Sequence, residues 1–81
     1  MTWNYRICKR NFLGEDSLEI HEVYYNGDGS IHAITEEPVT AYGETLAEIK
    51  SALKRMQEAT KKDIIDLDTL VFAKQDPAEL V

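Results

Sequence analysis

Leu18-Glu19-Ile20-His21-Glu22-Val23-Tyr24-Tyr25-Asn26-Gly27-Asp28-Gly29-Ser30-Ile31-His32-Ala33-Ile34 is the stretch on which the fold turns. Two runs rich in β-branched and aromatic residues flank Asn26-Gly27-Asp28-Gly29, which overlaps two hairpin dipeptides, Asn-Gly and Asp-Gly. Their glycines accept the positive φ that tight hairpin turns require. The stretch therefore reads as two antiparallel strands, Leu18 to Tyr25 and Ser30 to Glu36. Pro38 has no N–H to give to a ladder, so pairing stops near it.

Toward the N-terminus, Trp3 to Leu13 alternates apolar and polar side chains and reads as a further strand. Gly14-Glu15-Asp16-Ser17 has turn composition, which completes a three-stranded meander. A turn centred on Glu15-Asp16 sets Leu13 against Leu18, Lys9 against Glu22 and Ile7 against Tyr24. One face then collects Trp3, Tyr5, Ile7, Leu13, Leu18, Ile20, Tyr24, Ile31 and Ala33. The other is mixed: Asn4, Arg6, Cys8, Arg10, Phe12, Glu19, His21, Val23, Tyr25, His32 and Ile34. Turns centred on Asn26-Gly27, Gly27-Asp28 or Asp28-Gly29 share one parity and leave these faces unchanged.

Toward the C-terminus, Thr45-Leu46-Ala47-Glu48 matches a capping box. Leu46, Ile49, Leu53 and Met56 follow at helical spacing, widened by Ala52 and Ala59, and Lys61 and Lys62 suit the negative end of the helix dipole. A helix is expected from Leu46 to Thr60. Ile64 to Phe72 is β-prone and should hold a short fourth strand. A right-handed crossover over the apolar face delivers that strand parallel to the first, beside it. The expected fold is α+β, βββαβ, with sheet order 3-2-1-4, in one domain over residues 1–75 and a frayed tail over 76–81.

The chain has 81 residues, 43% of them hydrophobic and 30% charged, which suits one small globular domain. No apolar run approaches the roughly 20 residues of a membrane span. Arg6, Lys9 and Arg10 interrupt any signal-peptide pattern. The single cysteine, Cys8, forms no internal disulfide, which fits a reducing cytoplasm. The net charge of −6 disfavours nucleic acid, since phosphate neutralisation supplies most of that affinity. Residues 45–62 are the basic exception, carrying Lys50, Lys54, Arg55, Lys61 and Lys62 against Glu48 and Glu58. They form the solvated face of an amphipathic helix; the alternative use is RNA or nucleotide binding.

Catalytic, cofactor and metal residues are not expected. His21 and His32 would face each other across the hairpin if Asn26-Gly27 made the turn, with Cys8 nearby. Arg10, opposite His21 in that register, would repel a cation, although a small metal-dependent enzyme stays an alternative. Glu36 and Glu37 point to opposite sides of a strand. Cys8, mid-strand, has no helix N-terminus to activate it. No glycine-rich phosphate loop precedes the helix. The mixed face offers an apolar centre with a charged rim, as protein interfaces do. Phe12, Val23, Tyr25 and Ile34 are the expected contact residues, for a protein partner or a second copy of the chain.

Gly43-Glu44-Thr45-Leu46-Ala47-Glu48, entered from the Pro-containing loop Glu37-Pro38-Val39-Thr40-Ala41-Tyr42, resembles the helix entry of HicB-like antitoxin domains, a partial RNase H-like fold. Ile20-His21-Glu22-Val23-Tyr24-Tyr25 together with Gly43-Glu44-Thr45 is also similar to a group of short bacterial proteins. The resemblance implies the same βββα order over residues 3–60. HicB-like antitoxins usually add a C-terminal DNA-binding unit; residues 63–81 are too short and too acidic for one. The loop also lacks those domains' Pro-Asp-Leu-Pro-Gly run.

Overall fold

A computed structural model describes residues 2–70. Three strands come first: β1 (Thr2–Phe12), β2 (Glu15–Tyr25) and β3 (Ile31–Ile34). Helix α1 (Leu46–Glu58) follows, running into a 3₁₀ turn over Ala59–Lys61, and β4 (Ile65–Asp66) closes the sheet. The sheet order is β3-β2-β1-β4, with β1 antiparallel to β2 and parallel to β4. The expected order and the single helix are both present. No helix among the described residues is long and apolar enough to cross a membrane. The tail expected over 76–81 lies outside the described residues.

The β1–β2 register differs from the expected one. Phe12 pairs with Glu15, so Leu13-Gly14 makes a two-residue turn and Gly14-Ser17 does not. Both turn residues have positive φ, 53° at Leu13 and 86° at Gly14, the requirement of a type I′ hairpin. Asn11 holds the turn from beside it: its Oδ1 accepts from the Gly14 N–H at 3.3 Å and its Nδ2 donates to Asp16 at 2.8 Å. Relative to the expected register each β1 residue meets a partner four positions earlier. Lys9 faces Leu18 instead of Glu22, and Ile7 faces Ile20 instead of Tyr24. Four is even, so the β1 and β2 side chains that stay in the ladder keep their expected faces, while Leu13 leaves the sheet for the turn. Lys9 finds its counter-ion on β4, with Nζ 3.4 Å from Asp66.

The β2–β3 turn is a three-residue loop, closed by Asn26 N–H to Ser30 O at 2.8 Å, with Gly29 at φ 88°. Ser30 donates its N–H and its hydroxyl to Asp28, which holds the Asp28 carboxyl below its ordinary range. A bulge then shifts the ladder. Tyr25 pairs with Ile31, but Tyr24 pairs with Ala33, and His32 is the extra residue. Ile31 therefore stands opposite Tyr25 and not on the Trp3 face, where unbroken alternation places it.

Helix α1 begins with half of the expected capping box: Thr45 Oγ1 accepts from the Glu48 N–H at 3.2 Å, while Glu48 Oε1 accepts from the Glu44 N–H at 3.4 Å and not from that of Thr45. Gly43 passes so close that an added Cβ would lie 2.6 Å from Glu48 Cβ and 2.8 Å from Ile49 N. At this position glycine is needed for space, since its φ is not in the left-handed range. Ala52, Met56 and Ala59 are the buried residues of the helical segment, small enough to let it approach β1. Arg55 lies with its guanidinium 5.8 Å from the Trp3 ring centroid and 5.9 Å from that of Tyr5, joining the helix to the aromatic face through cation–π contacts. Leu46 and Leu53, on the flank opposite Arg55, remain exposed.

Two substitutions test these local constraints in urea unfolding. Gly43→Ala should cost about 1–3 kcal/mol, the usual penalty of forcing atoms into occupied space. Leu13→Asn should instead stabilise by about 0.5–1 kcal/mol, because asparagine tolerates the left-handed region better than leucine.

A candidate interaction cleft at the hairpin end

The mixed face is closed at its centre. Cys8, His21 and Val23 have no exposed surface, and longer polar neighbours on the same face bond around them. Asn4 pairs with Val23 in the ladder, between the Arg6–His21 and Thr2–Tyr25 pairs. Tyr25 Oη donates to Asn4 Oδ1 at 2.7 Å, and Arg6 Nη1 donates to Tyr25 Oη at 3.2 Å. Arg6 and Tyr25 thus meet across the position of Val23. Arg6 Nη2 also donates to the Asp63 carbonyl at 2.7 Å, tying the segment before β4 to the sheet.

His21 sits within the neighbouring polar group. Its Nδ1 lies 2.9 Å from the Thr35 carbonyl and 3.2 Å from Thr35 Oγ1, and its Nε2 lies 2.7 Å from Glu19. Arg10 Nε approaches the same carboxylate at 3.7 Å. The observed register places Arg6, not Arg10, opposite His21, and Tyr25, not His21, beside the His32 bulge. His32 is exposed and His21 is buried, so the two imidazoles do not converge. Among the described residues no three His, Cys, Asp or Glu side chains are grouped to hold a metal ion. Burial pushes the Cys8 thiol pKa up, more than Arg6 and Arg10 lower it, which disfavours the thiolate a nucleophile needs.

The four expected contact residues therefore divide. Val23 is wholly buried, and Tyr25 is half-buried with its hydroxyl engaged. Phe12 is 70% exposed, and Ile34 is half-buried. Phe12 and Ile34 line one cleft of about 460 Å³, together with Leu67 and Leu70 from the turn after β4. Arg10, Glu36 and Asp68 supply its charge. Arg10 Nη2 reaches the Glu36 carbonyl at 3.5 Å, across from β1 to the chain leaving β3.

The turn after β4 is fixed to β1 by its backbone and by two carboxylates. Leu67 N–H donates to the Lys9 carbonyl at 2.9 Å, and Asn11 N–H donates to Asp68 Oδ2 at 2.9 Å. The Asp68 N–H donates to Asp66 Oδ1 at 3.0 Å. That bond, with Lys9 alongside, holds the Asp66 carboxyl below its ordinary range.

Leu13 is the feature the sequence reading assigned to the sheet interior. It stands at the hairpin tip, 87% exposed and next to Phe12. The signal available in the sequence was Leu13-Gly14 itself, read as a turn with glycine in its second position. On the helix, Lys50, Lys54, Lys61 and Lys62 are exposed, whereas Arg55 is engaged by Trp3 and Tyr5. No family model, curated protein or solved structure matches the chain.

Tyr25→Phe isolates the hydroxyl that joins Arg6 and Asn4. Arg6 already has one buried N–H without a partner, at Nε, and the substitution removes the acceptor of Nη1 as well. A loss of about 1–3 kcal/mol in urea unfolding is expected, the cost of leaving a buried polar group unpaired. A change under about 0.5 kcal/mol would show that the Arg6–Tyr25 contact carries no stability.

Proposed function

We propose that this chain is a small cytoplasmic protein-interaction module with a HicB-like fold. In this reading its partner is a second copy of itself, docked at the hairpin end of the mixed face. The observation that carries the reading is that Phe12, 70% exposed, lines the cleft and is followed in the chain by Leu13, 87% exposed. Leucine in left-handed backbone is unfavourable by about 1–2 kcal/mol. Strain of that kind, kept at an exposed apolar tip, favours a role outside the monomer.

Self-association is favoured over a foreign partner by the distribution of charge. A two-fold contact needs a patch that carries its own complement. The cation Arg10 and the anions Glu36 and Asp68 line the same cleft as Phe12. The small core argues the same way: among the described residues Cys8, Val23, Ala52, Met56 and Ala59 are its buried hydrophobic side chains.

Sedimentation equilibrium on the untagged chain, beside Phe12→Lys, tests the proposal. Lysine is chosen because Phe12 pairs with Glu15, so the new cation supports the hairpin while removing the apolar contact. A wild-type dimer and a folded, monomeric variant are expected. A wild-type monomer, or a variant that dimerises equally well, would remove this surface from self-association.

A further inference from the structure

The sheet has an open margin along the N-terminal half of β1. β4 pairs with β1 at Cys8 and Lys9 only, so among the described residues no strand lies beyond residues 2–6 on that side. In an antiparallel pair, successive residues direct their main-chain groups alternately toward the partner strand and away from it. Lys9 and Asn11 point away from β2: the Lys9 carbonyl accepts from the Leu67 N–H, and the Asn11 N–H donates to Asp68. The same alternation turns the N–H and C=O of Trp3 and Tyr5 outward, to the margin that β4 does not reach. Among the described residues neither the ladders nor the other hydrogen bonds give these groups a partner.

A groove of about 310 Å³ runs here, lined by Trp3, Asn4, Tyr5, Arg55 and Glu58. Consecutive strand residues face opposite sides of a sheet, so a groove that touches three in a row lies along the strand's edge and not over one face. Its far wall belongs to α1. Arg55 lies over the Trp3 and Tyr5 rings and joins no ion pair among the described residues, whereas Glu58 is paired with Lys61 at 3.3 Å. The charge left to the groove is therefore positive.

We propose that this groove binds an extended segment of another protein, which adds to the sheet along β1, in line with β4, and sets an acidic side chain against Arg55. Outward N–H and C=O groups at a two-residue spacing are complementary to the main chain of a strand, and pairing at Trp3 and Tyr5 forms about four hydrogen bonds. Specificity then falls to the groove, apolar at Trp3 and Tyr5 and cationic at Arg55. A second copy is a poorer occupant, because its own Arg55 and Glu58 flank its β1 edge and would meet those of the first. The opposite margin of the sheet is less suited, since β3 has four residues and a bulge at His32. The groove shares no lining residue with the cleft at the hairpin end, so it goes beyond self-association and stands or falls separately.

Trp3, the single tryptophan, supplies the signal for a test. The probe is a capped peptide, threonine-valine-glutamate-valine-threonine, titrated into the full chain and into Phe12→Lys. Saturable change in Trp3 fluorescence is expected in both, with hydrogen exchange slowed at the Trp3 and Tyr5 amides and unchanged at those of Asn4 and Arg6. Two further peptides are N-methylated at alternate amides, one in each frame. Strand addition blocks one frame, weakening binding about tenfold or more, and tolerates the other. A lysine-centred peptide should bind about tenfold more weakly than the glutamate one, and Arg55→Gln should remove that preference. No saturation at millimolar peptide overturns the site, and equal binding of the two methylated frames overturns strand addition. Equal binding of the glutamate and lysine peptides overturns the acidic partner. Trp3 and Tyr5 amides that become protected with rising protein concentration alone also overturn it, because a second copy would then be the occupant. Dimers that depend on Phe12 but bind no peptide would remove this site alone. Peptide binding by a chain that never dimerises would remove self-association alone.

Discussion

The Leu13-Gly14 turn is the constraint on which the rest of the molecule depends. It fixes the register of eleven β1–β2 pairs, and each consequence follows from that register. Arg6 falls opposite His21, which brings its guanidinium near Tyr25 and the chain before β4. Lys9 is left without an acid across the strand pair and takes one from β4 instead. Asn11 ends beside the turn, where its side chain serves Gly14 and Asp16 while its backbone N–H takes Asp68. A different two-residue turn would keep the faces but break all of these pairings together.

Much of this architecture was legible in the sequence because it rests on parity and period. Strand faces follow from alternation, which survives any even slip, so most face assignments hold although the predicted register is four positions off. The helix and its cap at Thr45 rest on local signals, and the structure has both. Register itself was not legible. It depends on whether leucine or Glu15-Asp16 occupies the turn, and composition favoured the polar pair. Ile31 changed faces through a bulge at His32, which no residue-type preference announces.

The candidate site was legible only in part, for a related reason. Binary patterning treats Arg6, Asn4 and Tyr25 as surface residues that leave Val23 available. Their hydrogen bonds instead join over it, and long side chains with polar ends make apolar residues inaccessible without any further layer of secondary structure. Phe12 and Ile34 escape this because they sit nearer the ends of their strands, where fewer such neighbours stand. The helix shows the converse: Leu46 and Leu53 belong to the apolar stripe by spacing, yet both remain exposed.

The two-residue length of β4 also bears on the order in which the molecule assembles. The β1–β2 hairpin is held by contacts close in sequence, and hairpins of that kind form within microseconds. Joining β4 to β1 closes a loop from Cys8 to Ile65 for only two ladder pairs. Such a closure gains little until the helix is docked. The cleft is lined from residues 10–12 and 34–36 and by Leu67, Asp68 and Leu70. It is therefore completed only when that long loop closes, and local opening of β4 would dismantle it while the meander stays intact.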